Sequence, residues 1–283
     1  GNMTGRLGAD DMHDEVMHGI RKAMDQVKPD AWLVAENGDF IASDLNGFGW
    51  HGAMNYQGFM RPVWNWINLN TTIGGGFQGL PFSMPKINGK QLVESMKSFN
   101  GSIPWRSLVA SMVLLDSHDT ARMRTVVLGD KKLHLTAMTL LLTYPGVPSI
   151  FAGDEIGLEG SSGEDSRRTM NWEDQSSWDL DFLSEVKELI SIRKKHDALI
   201  NGGLRWVLVE DDCLAFLRES KKETILVFIS RGAVNTKIDV SKLGYIVKKS
   251  LYGVSGDGSI ISVNTDKPTQ GLWVLESSQK LSG

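Results

Sequence analysis

The stretch VLLDSHDTARMRT, residues 113–125, runs three apolar residues straight into Asp116, Ser117, His118, Asp119 and Thr120. A helix-like segment follows. Ser, Asp and Thr at such a junction can cap the first backbone N–H groups of a helix, and Ser117 or Thr120 fits that use. Capping does not account for the His118–Asp119 pair beside them. Polar residues on a loop after a buried strand are a usual place for chemistry.

Working outward, the same texture recurs. AWLVAENGD (31–39) is an apolar run closing on Glu36, and GVPSIFAGDE (146–155) is another closing on Asp154. Unalternated runs of this kind suit strands buried on both faces of a parallel sheet. HGAMNY (51–56) is a weaker strand candidate ending at Tyr56. Between them lie helical patterns. Residues 11–27 place Val16, Ile20, Ala23, Met24 and Val27 at helical spacing, and GKQLVESMKSF, KKLHLTAMTLLLTY and SWDLDFLSEVKELISIRKKHDAL read the same way. The acids at 10, 11, 14 and 15 sit where a helix dipole favours negative charge. After Gly203 the pattern changes to short apolar stretches divided by polar turns, predicting an all-β domain over 201–283. Alternation of helix and strand over 1–200 predicts a parallel sheet wrapped by helices. Polar residues at the carboxyl ends of its strands are where a (β/α) barrel keeps its active site.

The 283 residues carry a net charge of −4 with 41% hydrophobic and 23% charged residues, which gives no footprint for a nucleic-acid partner. No apolar run approaches the ~20 residues of a membrane span. The single cysteine, Cys213, excludes an intrachain disulfide and favours a reducing, cytoplasmic location. The chain opens without an initiator methionine or a signal-like segment, so trimming or a fragment is expected, and targeting is unreadable.

Glu36 and Asp119 on neighbouring strands suit acid–base work on a polar substrate, with His118 as a donor to a hydroxyl. Trp50, Tyr56, Phe59, Trp64, Trp66, Phe77, Phe82 and Trp105 could offer faces to sugar rings, although most aromatics bury area in a core. His13 and His18 are five apart, not the four of a zinc-binding helix, so no metal site is expected. GGGFQG (74–79) lacks the flanking strand and helix of a phosphate loop.

Taken in order, several segments resemble the α-amylase family of glycoside hydrolases, in its neopullulanase- and α-glucosidase-like members. WLVAENGD resembles the end of the fifth barrel strand, which makes Glu36 the acid/base. MNYQGFMRPVWNW resembles the sixth-strand segment. LLDSHDTAR resembles the seventh, in which His118 binds the sugar and Asp119 stabilises the transition state. YPGVPSIFAGDEIGLEG resembles the passage into the eighth strand, and EDSRRTMNW a loop after it, with Thr169 where proline is usual. Tyr56 and Arg167 become further substrate-binding candidates. LISIRKKHDALINGG resembles the last barrel helix leading into a β-sandwich.

The resemblance implies an α/β fold: the second half of a (β/α)8 barrel, helix four to helix eight, over residues 1–200, followed by a C-terminal β-sandwich over 201–283. The family's nucleophile belongs to a Gly-x-Arg-x-Asp segment that is not found here, and GNMTGR resembles the loop just after it. The expected protein is a retaining glycosidase acting on α-linked glucans or malto-oligosaccharides, this part being inactive by itself. Calcium, if present, would be held upstream, and no cofactor is expected in this chain. Half a barrel has unpaired strand edges, so self-association or an N-terminal fragment as partner is expected. A non-catalytic amylase-like binding or assembly protein is the alternative, supported by the absent nucleophile. An unrelated barrel enzyme leaves the ordered matches unexplained.

Overall fold

The computed structural model describes residues 13–37, 41–69 and 84–278. Helix α1 (His13–Val27) carries Asp14 and Glu15 in its first turn; the acids at 10 and 11 lie outside the described residues. The predicted apolar stripe of α1 is not its buried face. Met17 is buried, whereas Ile20 and Val27 are exposed. The helix is instead tied down by Arg21, which bonds Asp25 at 2.9 Å and donates to the Gly49 carbonyl at 2.9 Å.

Strands β1 (Val34–Ala35) and β2 (Gly52–Ala53) pair in parallel. A single π-helical turn, Tyr56–Met60, leads into α2 (Arg61–Ile67), followed by α3 (Gly89–Asn100) and α4 (Trp105–Val109). Met54 then bridges Met112 of β3 (Met112–Leu114) in parallel. Next come α5 (Met123–Val126), α6 (Lys131–Thr143) and β4 (Val147–Ser149), which pairs with β3 in parallel. The four strands therefore lie side by side in chain order, with helices in the crossovers that parallel pairing requires. Each is only two or three residues long, much shorter than the apolar runs that announced them. Trp32 and Val147 are exposed, so those two runs are not buried on both faces as predicted.

Helices α7 (Leu180–Lys195) and α8 (Asp197–Asn201) follow, where the sequence had predicted one long helix. Antiparallel strands then take over: β5 (Gly203–Val209), β6 (Cys213–Glu219), β7 (Thr224–Ser230), β8 (Val234–Asp239), β9 (Tyr245–Gly253), β10 (Ile260–Thr265) and β11 (Thr269–Ser277). Five of them form one sheet in the order β5-β6-β7-β11-β9, and β8 pairs with β10. Strand β8 was not anticipated.

The period of two along β6 and β7 divides their side chains between two cores. Cys213, Ala215, Leu217, Leu226 and Phe228 pack with Ile238 of β8 and Ile261 and Val263 of β10. Leu214, Phe216, Ile225, Val227 and Ile229 pack instead with α6, α7 and the parallel-strand region. Arg231 secures the junction by donating to the carbonyls of Trp66 and Ile87 while pairing with Asp212 at 2.7 Å.

Candidate active site

The carboxyl ends of three adjacent parallel strands bring the predicted residues together. Glu36 directly follows β1 and is exposed. Tyr56 follows β2 and is buried, and His118 and Asp119 follow β3. Tyr56 is where the three segments meet electrostatically. Burial first, then the charge of Glu36, pushes its hydroxyl up to about 12; Asp119 adds to the rise, and Ser117 and Arg61 oppose it.

A buried amide network fixes the turn that carries Tyr56. Asn55 accepts from the Gly58 N–H at 2.9 Å and donates to Asn100 at 3.1 Å. Asn100 donates in turn to the Gly58 carbonyl and to the Tyr144 hydroxyl, each at 3.0 Å. A Cβ on Gly58 would sit 2.2 Å from Asn100 Oδ1, so a side chain at 58 would displace this network. The exact local conformation is thus set by Asn100 and Tyr144, far along the chain.

The turn bearing His118 and Asp119 closes on itself. Thr120 Oγ1 accepts from the Ser117 N–H at 3.0 Å, and Ser117 Oγ accepts from the Asp119 N–H at 3.2 Å. These hydroxyls do not cap a helix, as the sequence suggested. The acceptor for the first N–H of α5 is Asp116, whose Oδ2 takes the Met123 N–H at 2.6 Å. His118 Nε2 lies 3.4 Å from Asp119 Oδ1. Arg167, from the segment after β4, reaches the same Oδ1 at 3.1 Å and donates through Nε to the His118 carbonyl at 3.1 Å. The loop carrying Arg167 is seated on this turn. Ser166 Oγ donates to the Thr120 carbonyl at 2.6 Å, and a Cβ on Gly163 would be 2.9 Å from the Asp119 carbonyl.

Asp154 departs from the sequence reading. It is buried beneath the turn and paired with Arg122 Nη1 at 2.8 Å, not presented at the strand end. The motif containing Arg122 was recognised, but nothing in the sequence marked this long-range pairing. Among the aromatic candidates, Tyr56, Phe59, Trp64 and Trp66 are core residues. Trp105 is exposed beside Val109 and Val147, close to the opposite ends of the strands. Phe77, Phe82 and the GGGFQG segment lie outside the described residues. Among those described, no three His, Cys, Asp or Glu side chains are grouped to hold a metal, and no helix is long and apolar enough to cross a membrane.

A family model described as the alpha-amylase catalytic domain matches residues 9–176. The chain is 32% identical over 226 residues to a cyclomaltodextrinase of Bacillus sp, covering 78% of this chain and 38% of that protein. It is 31% identical over 241 residues to an intracellular maltogenic amylase of Bacillus subtilis, covering 82% and 38%. Its backbone is similar to the crystal structure of a debranching enzyme from Nostoc punctiforme, with a TM-score of 0.81 at 25% identity, covering 92% of this chain and 55% of that one. The chain thus spans about two-fifths of the length of these curated relatives. With the family model covering more than half of its residues, the chain belongs to the alpha-amylase catalytic-domain family.

Proposed function

We propose that the whole protein is a retaining glycoside hydrolase acting on α-linked glucans or malto-oligosaccharides. Glu36 is the acid/base: it protonates the leaving glycosidic oxygen and then takes a proton from the attacking water. Asp119 accepts hydrogen bonds from sugar hydroxyls and stabilises the charge that develops on the ring, a contact that strengthens in the transition state. His118 donates to the sugar, Tyr56 forms the wall between the two carboxylates, and Arg167 orients Asp119 through Oδ1. The observation that carries this reading is the convergence of Glu36, Tyr56 and Asp119 at the ends of three neighbouring parallel strands. The names of the relatives, a cyclomaltodextrinase and a maltogenic amylase, support the substrate class.

In the same reading, residues 1–200 are helix four to helix eight of a (β/α)8 barrel and 201–283 are a β-sandwich domain. Retention needs a second carboxylate about 5–5.5 Å from the first. The Gly-x-Arg-x-Asp segment is absent from these 283 residues, so the reading assigns the nucleophile to none of them. The single cysteine and the intracellular relative support a reducing compartment.

Malto-oligosaccharide hydrolysis measured on the whole protein and on this chain by itself tests the proposal. In the whole protein, Glu36→Gln should lower kcat by about 10³-fold with little change in oligosaccharide affinity. Unchanged turnover would remove Glu36 from its role. The chain by itself should show no turnover; activity that Glu36→Gln abolishes would mean that a second carboxylate lies within it. Binding without hydrolysis by the whole protein would favour the non-catalytic alternative.

A further inference from the structure

Beneath the His118–Asp119 turn lies a buried charge cluster that the proposed mechanism does not use. Arg122, Asp116 and Asp154 are 1%, 3% and 2% exposed. Arg122 commits its donors to fixed acceptors. Nη1 reaches Asp154 Oδ1 at 2.8 Å, Nη2 reaches the Ala152 carbonyl at 3.0 Å, and Nε and Nη2 share the Ser166 carbonyl at 3.1 and 2.9 Å. Its guanidinium also stacks 4.0 Å from the centroid of the Phe151 ring.

The two carboxyls are not equally served. Asp116 Oδ2 accepts from the Met123 N–H, but Asp116 Oδ1 is buried without a hydrogen-bond donor among the described residues. The Asp116 and Asp154 carboxyls lie within hydrogen-bonding reach of each other. Two carboxylates against one guanidinium would leave excess negative charge shielded from water, which is costly. One proton removes that excess. A protonated carboxyl is also a donor, so the same proton supplies the bond that Asp116 Oδ1 lacks. Burial, and for Asp154 the neighbouring Asp116 charge, push both carboxyls upward, in keeping with a retained proton.

We propose that Asp116 and Asp154 hold one proton between them, and that this pair, through Arg122, positions the turn bearing His118 and Asp119. Asp116 immediately precedes that turn, and Arg122 lies two residues beyond it. Through the Ser166 carbonyl, Arg122 also anchors the residue next to Arg167, which grips Asp119. These are positioning residues. Their link to catalysis rests on the reading of His118 and Asp119 as sugar-binding; the shared proton does not.

Infrared spectroscopy of this chain at neutral pH tests the proton. A protonated-carboxyl C=O band is expected, lost in Asp116→Asn and in Asp154→Asn, and kept in Glu36→Gln. The absence of the band in the wild type, or its survival in both Asn variants, would overturn the shared proton. Positioning is read from the His118 ring resonances by NMR. Asp154→Ala should shift them and Asp154→Asn should restore them; resonances unmoved in a folded Ala variant would overturn the positioning role. If the Ala variant does not fold, Arg122→Lys replaces it with the same expectation. In the whole protein, the same disruption should weaken oligosaccharide affinity about tenfold. A failure of that last result with band and resonances as expected would fault the reading of the sugar site, not the proton.

Discussion

Tyr56 records, in one titration, whether Glu36 and Asp119 share a site. Its hydroxyl is raised from the ordinary 10.0 to about 12, by burial and then by those two charges. Removing either charge leaves the burial. Glu36→Gln and Asp119→Asn should therefore each lower the Tyr56 pKa while leaving it above 10.0, as read by NMR of ring-labelled tyrosine; an unchanged value in both would separate the residues. The linkage has a definite sign. The folded state holds this proton more tightly than the unfolded chain, so its contribution to stability is full below pH 10.0 and is lost as pH rises through about 12. The placement of Glu36, His118 and Asp119 just after parallel strands was legible from sequence because each stands inside a short local motif. Asp116 and Asp154 were not legible as a pair. Their partnership spans 38 residues, depends on Arg122 filling the space between chain segments, and leaves no local periodicity.

Among the elements, α6 shows how a helix is fixed at both ends by different means. Its apolar composition was legible, and its predicted span matches the observed one closely. At its start, Asp130 accepts from the N–H groups of Lys132 and Leu133 at 2.9 and 3.0 Å. At its end, the orphan carbonyls that every helix leaves are met by two buried arginines from elsewhere. Arg193 of α7 takes that of Leu142 along with the Tyr144 and Gly146 carbonyls just beyond the helix, and Arg218 of β6 takes that of Thr143 together with Gly202. Burial lowers Arg193 to about 10 and Arg218 to about 9, which leaves both charged at neutral pH. Asp130→Ala should cost about 1 kcal/mol, the usual price of a lost cap. Arg218→Met should cost about 3 kcal/mol, because it strands buried carbonyls. Urea unfolding of the two variants checks the ranking, and equal losses would contradict it. Of the basic residues that close α7, Lys194 and Lys195 are exposed, whereas Arg193 is buried, a difference no local pattern marks. Strand β8 escaped because it is short: Val234, Thr236 and Ile238 turn inward and Asn235 and Lys237 outward, an alternation confined to six residues.

At the scale of the whole molecule, the arc of four parallel strands is open at both ends among the described residues. Among the described residues, β1 pairs with β2 and β4 pairs with β3, and neither has a second neighbour. Apolar side chains stand exposed near both margins: Ile20 and Val27 on α1, which precedes β1, and Trp105, Val147 and Ile200 on the β4 side. On the β4 side they border a cavity of about 590 Å³, floored by Leu142 and Ile190. An uncovered strand edge with apolar flanks is a template for pairing with another segment. The exposed stripe of α1 fits the same account, since its helical pattern is intact and nothing among the described residues covers it. On the proposed half-barrel reading, we expect this chain to self-associate, and an N-terminal segment supplied in trans to compete with that association. Light scattering should give a mass above that of one chain. Val147→Lys together with Ile200→Glu should shift it toward monomer without unfolding the C-terminal sheet, because both positions are solvent-facing. A monodisperse wild-type monomer would mean that the arc tolerates its open edges, and the expectation of a partner would fall with it.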